Sequence, residues 1–415
     1  MILVPMLREY ARHAAAFSPE ARLFLSAQAL YGLGQTAVWV LRNLHLKAAG
    51  FGESFIGTSL AVQSAAGVAV VLLATPWMDR LRLRPFQILG TVLLAAGLAG
   101  TAWVRGPAAV LGLCLLTGLG MALLDASASP FITRHSTSLE RPWLFGVATA
   151  LSPASGLLAT LGIKLGASVW GESTSSTGRM MVVAGGATLL ALLPLAVLRD
   201  APPEPAKGGD DDRLDWRTAS KFILPELAFG LGAGLTIPFI NLYFRNRFGL
   251  PAGTIGLYYA AAQALMMGAF LLAPVIARRW GSVRTIVAFQ MTSIPFFAIL
   301  ALTTSLEVAV AAFVLRHACM NMVHPVGSHF AMEVIHPRQR ARINGVKQAG
   351  NKVAWAVSNS LGGLLIAQGA LLPFLVDGFS TVMAVTIALY AAGSAMYWGF
   401  FGRAAQEPPA PPAEV

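Results

Sequence analysis

The chain has 415 residues, 56% of them hydrophobic and 12% charged, with 30 Lys and Arg against 19 Asp and Glu. Soluble domains carry about 25% charged residues, and one core stops growing near about 250–300 residues, so a soluble enzyme and a disordered chain are both excluded. Its two cysteines, Cys114 and Cys319, lie nearly half a chain apart inside apolar stretches, which excludes a disulfide scaffold or a cysteine metal site.

Apolar residues come in long blocks such as Val110–Leu124 and Met180–Leu198, and a bilayer core of about 30 Å takes about 20 apolar residues per helix. Charge clusters and Pro/Gly turns delimit spans near 20–46, 54–78, 86–104, 107–131, 144–168 and 180–198, then near 222–246, 254–277, 285–304, 308–331, 342–367 and 373–400. The first opens with Ser18 as N-cap, Pro19 at the first helical position and Glu20 in the first turn. Arg8, Glu9 and Arg12 interrupt the start, so no cleavable signal peptide is expected. The fold class is therefore an all-α membrane protein of twelve transmembrane helices. Its parts are an N-terminal six-helix bundle (1–198), a Pro-, Gly- and charge-rich cytoplasmic linker (199–221), a C-terminal bundle (222–403) and a disordered tail (404–415).

The formal net charge of +11 does not point to nucleic acid. Twenty of the 30 cations lie in alternate connections and the tails, six (Arg42, Lys47, Arg105, Arg179, Arg245 and Arg247) near the opposite ends, and four inside spans. This is the positive-inside pattern, and it puts both termini in the cytoplasm.

The two halves repeat. Tyr31–Gly34 matches Phe229–Gly232 and Asn43-Leu44 matches Asn241-Leu242, both at an offset of 198; Gln63 matches Gln263 at 200, and Arg80 matches Arg279 at 199. Arg84 matches Arg284, and Pro130 matches Pro325. A colinear series of this kind implies two pseudo-symmetric bundles of the same orientation with a cavity between them.

Six plus six helices, a charged central loop and an Arg-rich turn after the second helix of each half resemble the major facilitator superfamily. The family's first-half signature, roughly G-x-L-x-D-R-x-G-R-R, stands here as Thr75-x-x-x-Asp79-Arg80-x-Arg82-x-Arg84, which keeps the Asp-Arg pair without the leading Gly. The second half, Arg278-Arg279-Trp280-Gly281-x-x-Arg284, lacks the acid, and the antiporter motif of the fifth helix survives only as Ser152-Pro153-x-x-Gly156. The chain is similar to bacterial efflux-type facilitators. The resemblance implies a monomeric secondary transporter in the inner (plasma) membrane, embedded in lipid, that moves a small molecule by alternating access. Proton-coupled efflux leads, with transport of an organic anion as the alternative. No cofactor, metal or nucleic acid is expected. An enzyme is not expected either, since no nucleophile–base constellation and no soluble domain is present. A sensor is disfavoured by the short linker and tail.

Ionisable residues inside a membrane cost about 2.5–3.5 kcal/mol each on insertion scales and are functional candidates by default. In the tenth span His317, Asn321 and His324 follow at i, i+4 and i+7 beside Arg316, with Pro325 freeing a carbonyl nearby. In the eleventh, Lys347 and Asn351 stand at i, i+4, with Gln348 and Lys352 on the next stripe. These cations and histidines on consecutive helices suggest a cavity wall. Asp125, among small residues, either exchanges protons or is held by a packing partner; Glu226, just after Pro225, either couples protons or serves the helix dipole. Asn43, Asn241, Gln63 and Gln263 form symmetric pairs that read as substrate contacts, with C-capping the alternative for the asparagines. Lys164 snorkels and stays outside the site. The Arg-rich turns suggest a cytoplasmic gate in which Asp79, Arg80, Arg84, Arg279 and Arg284 exchange weak pairs with Glu333 and Arg340, spaced seven apart.

Overall fold

In lipid every backbone N–H and C=O needs an internal partner, and a helix satisfies all of them within one segment. The computed structural model describes residues 17–74, 78, 80–137, 140–200, 215–336 and 339–402, with the side chains of 142, 271 and 341 left aside. Among the described residues twelve helical rods follow in order and no strand occurs. Helix α1 runs as Pro19–Ala37, a π-helical Val38–Arg42 and Asn43–Ala48. Then come α2 (Glu53–Leu73), α3 (Arg84–Thr101), α4 (Pro107–Arg134), α5 (Arg141–Trp170) and α6 (Thr174–Val197). The second set is α7 (Trp216–Phe248, with a 3-10 turn at Ile237–Phe239), α8 (Ala252–Trp280), α9 (Ser282–Leu302), α10 (Leu306–Val334), α11 (Arg340–Gln368) and α12 (Gly378–Phe401).

Eight of these are long and apolar enough to cross a bilayer unaided, and α8 makes a ninth when its two bent parts are joined. Helix α11 falls short because it carries Arg340, Arg342, Lys347, Gln348, Asn351 and Lys352. That polarity needs protein, not lipid, around it.

Caps and prolines set the ends and breaks. Ser18 Oγ accepts from Ala21 N at 3.2 Å with Pro19 at the first position, as expected. The sixth span starts earlier than 180 because Ser173 caps Thr174–Leu189, and the twelfth starts later than 373 because Asp377 accepts from Ser380 N at 2.9 Å. A proline clashes with the carbonyl four residues back and removes one ladder bond. Pro194 thus coincides with the break at 190–191, Pro325 with the break at Met322, and Pro274 with a 44° bend between Phe270 and Leu272.

The chain forms two compact units. One is Met1–Gly50 with Val62–Gly208 and Pro251–Ala260; the other is Phe51–Ala61 with Gly209–Leu250 and Ala261–Val415. In the first, α3 packs along α4 and α6, and α1 along α5 and α6. Its aromatic contacts include Phe24 stacked on Phe131 at 4.6 Å. In the second, α7 packs on α11 and α12, and α9 on α10 and α12. Phe222, Phe330, Tyr397 and Phe401 interlock at one end of it. At the other end Arg247 makes a two-pronged pair with Asp377 at 2.5 and 2.9 Å and bonds the carbonyls of Leu300 and Ala301. In the same unit, Gly57 of α2 meets Gly363 of α11 backbone to backbone: a methyl group on Gly57 would stand 2.6 Å from Asn359 O and 2.8 Å from Gly363 Cα. Small residues permit this approach in lipid, where close packing replaces the hydrophobic effect as the force between helices.

Candidate functional site

The second unit holds a cavity of about 120 Å³ lined by charged, amide and aromatic side chains. Its floor is set by α7 and α11. Glu226 follows Pro225 on α7, and Asn351 of α11 donates Nδ2–H to Glu226 Oε1 at 3.1 Å. Gly230, one turn along α7, makes room, since a methyl group there would stand 3.0 Å from Asn351 Nδ2. Lys347 enters the wall one turn before Asn351. From α9 comes Gln290, whose Oε1 accepts from Ser394 Oγ at 3.3 Å, and from α12 comes Tyr397. Phe222 and Phe229 complete the apolar side.

Helix α10 contributes through its break. Without a Pro325 N–H the Asn321 carbonyl loses its helical partner; the helix stops at Asn321, restarts at Val323, and His324 opens onto the cavity. The polar face expected from His317, Asn321 and His324 is therefore divided. Asn321 Nδ2 donates to its own helix at His317 O, 2.7 Å away, and among these three only His324 reaches the wall.

Arg316 does not line this cavity. It is 4% exposed, donates to Tyr390 Oη at 2.9 Å, and lies 4.5 Å over the Phe297 ring. The cations expected to act together thus have separate surroundings: Lys347 on a wall beside Glu226 and His324, Arg316 inside an aromatic box. A carboxylate bonded to an amide and sharing one small space with an imidazole and an ammonium group can exchange protons and seat a polar group between aromatic rings.

The first unit carries a smaller polar set. Gln35 Nε2 donates to Asp125 Oδ1 at 3.4 Å, and Asp125 is exposed. Arg42, grouped by sequence with the outer-end cations, is instead 1% exposed and donates to Gln63 Oε1, while Gln63 Nε2 approaches Met121 Sδ at 3.3 Å. Arg42 closes the π turn Val38–Arg42, a winding often found at functional positions. The signal was legible, as Arg42 is the one cation within the apolar block Val38–Leu46. Tyr390, Tyr397 and Gln290 were also missed; in an apolar sequence a single Tyr or Gln looks like ordinary packing.

Asn43 and Asn241 do not end their helices, which continue to Ala48 and Phe248. Both are buried, and Asn241 Oδ1 accepts from Leu242 N at 2.8 Å, so C-capping does not describe either residue. Gln263 is half-buried on α8 and is not among the residues that line the cavity.

Of the expected gate residues, Asp79 lies outside the described residues. Arg80, Arg279 and Arg284 are exposed. Arg84 donates to Ala196 O at 2.6 Å, and its N–H donates to Asp200 Oδ2 at 2.8 Å. Glu333 faces His329 at 3.4 Å, and Arg340 donates to the carbonyls of Met332 and Ile335, so Glu333 and Arg340 have different partners. Among the described residues no three His, Cys, Asp or Glu side chains are placed to hold a metal ion.

A family model described as Major Facilitator Superfamily matches residues 24–315 and 227–414. The solved D-xylose–proton symporter is similar in structure, with a TM-score of 0.78 at 14% identity, covering 92% of this chain and 97% of that one. The nucleoside transporter NupG, solved as a point mutant, gives 0.74 at 14% over 92% of this chain and 100% of that one. An inward-facing bacterial homologue of the human lysosomal transporter Spinster gives 0.70 at 14% over 95% and 98%. No curated protein sequence matches the chain.

Proposed function

This chain belongs to the major facilitator superfamily, and from that premise we propose that it is a proton-coupled secondary transporter exporting a small organic molecule by alternating access. It is a multi-pass membrane transporter and not an enzyme. The observation that supports proton coupling is the placement of Glu226, His324 and Lys347 around one cavity with aromatic walls, with Asn351 bonded to Glu226. A carboxylate beside a cation changes its hold on a ligand when it takes up a proton, which is the linkage a coupled carrier requires. Export follows the resemblance to efflux-type facilitators, and the 20:6 charge division supports termini facing the cytoplasm across an inner membrane.

Transport of an organic anion is the second reading, favoured by Lys347 on the cavity wall. The test is a ligand-stabilisation screen on purified protein at two pH values, lipophilic cations against organic anions, followed by flux of the best ligand in proteoliposomes under an imposed pH gradient. A ligand that binds only the folded state raises the melting temperature by mass action. Glu226→Gln is expected to retain ligand binding and lose the response to the gradient; a variant that still responds fully removes Glu226 from coupling. For an anionic ligand, Lys347→Gln is expected to weaken binding by the worth of one charge-assisted contact, about 1.5–3 kcal/mol or roughly 10- to 150-fold.

A further inference from the structure

A second hollow lies in the first unit, where the start of α3 meets the end of α6. It is an open groove of about 690 Å³, within the range that accommodates a drug-sized ligand. Its wall is apolar and faces outward: Leu89 and Val92 of α3 and Val197 of α6 are 49%, 39% and 70% exposed. At the helix level of a bilayer such a surface meets acyl chains. Among the described residues its rim is cationic, formed by Arg82, Arg84 and Arg199, with Asp200 as the one acid.

The rim charges are not equivalent. Arg84 is fixed as a brace, donating its guanidinium to Ala196 O at 2.6 Å and its backbone N–H to Asp200 Oδ2 at 2.8 Å. Among the described residues Arg82 and Arg199 make no hydrogen bond or ion pair, and both are exposed. With the Arg84 guanidinium held on Ala196 O, the guanidinium groups of Arg82 and Arg199 are the ones left uncommitted, among the described residues, at the end of an apolar trough. Guanidinium forks match phosphate oxygens in pairs and suit interfacial positions. A soluble phosphate compound would leave the apolar wall uncovered, whereas a phospholipid covers it with an acyl chain while its phosphate reaches the rim.

We infer that this groove binds one anionic phospholipid, with the headgroup phosphate between Arg82 and Arg199 and an acyl chain along Leu89, Val92 and Val197. On the positive-inside topology the groove opens to the cytoplasmic leaflet, where basic pockets between helices meet anionic headgroups.

The experiment is native mass spectrometry of the purified full-length protein titrated with phosphatidylglycerol, phosphatidylcholine and inorganic phosphate. Wild type is compared with Arg82→Gln/Arg199→Gln, with the groove-filling Val92→Trp, and with Arg278→Gln/Arg279→Gln as a control of equal charge change. At about 1 kcal/mol per interfacial cation, the double variant is expected to bind phosphatidylglycerol about 25-fold more weakly. Val92→Trp, which keeps every charge, is expected to weaken it too, phosphatidylcholine to bind weakly to all forms, and millimolar phosphate not to compete. Equal phosphatidylglycerol affinity in wild type and the double variant overturns the site. So does an equal loss in the control, which would mean diffuse surface charge, or competition by phosphate, which would mean a soluble-anion site. If the double variant does not fold, the outcome with Val92→Trp decides.

Discussion

Arg316 is the residue for which burial and function make opposing demands, and its bond to Tyr390 can be weighed by a double-mutant cycle. Both side chains are buried, at 4% and 1% exposure, with 2.9 Å between the guanidinium nitrogen and the phenol oxygen. A hydrogen bond to a charged group is worth about 1.5–3 kcal/mol. Tyr390→Phe removes it but keeps the ring, and leaves the guanidinium over Phe297 at 4.5 Å, a desolvated contact of about 2 kcal/mol. Tyr390→Phe is therefore expected to cost about 1.5–3 kcal/mol. Arg316→Gln removes both contacts and strands the Tyr390 hydroxyl, for about 3–5 kcal/mol. The double variant should lie close to Arg316→Gln alone, with a coupling energy of about 1.5–3 kcal/mol. The assay is denaturant unfolding in mixed micelles, with ligand affinity measured on the same variants. A coupling energy below about 0.5 kcal/mol, or a tenfold affinity loss in Tyr390→Phe, would refute the reasoning, because Arg316 would then be acting on the ligand and not on the helix packing.

Three further outcomes are expected. Asp215 caps α7 by accepting from Thr218 and Arg217, and these bonds, the Thr218 ones foremost, hold its carboxyl below the ordinary range. A depressed carboxyl contributes stability that is present above its unfolded pKa and is lost as pH falls through the lower, folded one. Asp215→Ala should therefore lower the melting temperature at neutral pH and converge with wild type in strong acid; a deficit independent of pH would mean the cap is not the cause. Gly57→Val should sharply reduce folded yield in size-exclusion chromatography, because its neighbours are backbone atoms, whereas Gly112→Ala, with nothing within 4 Å, should be neutral. An accessible tag within 199–221 should react only from the cytoplasmic side of intact cells; labelling from outside would contradict termini in the cytoplasm.

The fold was legible because bilayer physics writes it in composition. Long apolar blocks, turn residues and alternating basic connections gave twelve rods, and the family match agrees. Edges were less legible: Ser173 and Asp377 move helix starts by several residues through single hydrogen bonds. The site was legible only in part. Glu226, His324, Lys347 and Asn351 stood out because an ionisable or amide group in an apolar block is rare, and the first three line one cavity. Spacing could not say that Arg316 would turn to Tyr390, 74 residues away, or that the α10 break would separate His324 from His317. Such facts depend on which neighbour a side chain meets, and helical periodicity gives only its own face.

The breaks in α1 and α7 occupy matching places in the repeat yet depart from α-helical pitch in opposite directions. Val38–Arg42 is a π turn, looser than the α-helix, while Ile237–Phe239 is a 3-10 turn, tighter than it. At about 3.0 residues per turn against about 3.6, three residues of 3-10 helix advance the following chain by roughly 60°, whereas a π turn retards it. Residues beyond these points, Asn43 onward in one half and Ile240 onward in the other, therefore keep their matching order along the chain but not their azimuth. The repeat supplies equal ladders; the two turns rotate the following rungs by different amounts within each unit, so matching positions of the sequence present different faces in the two helices.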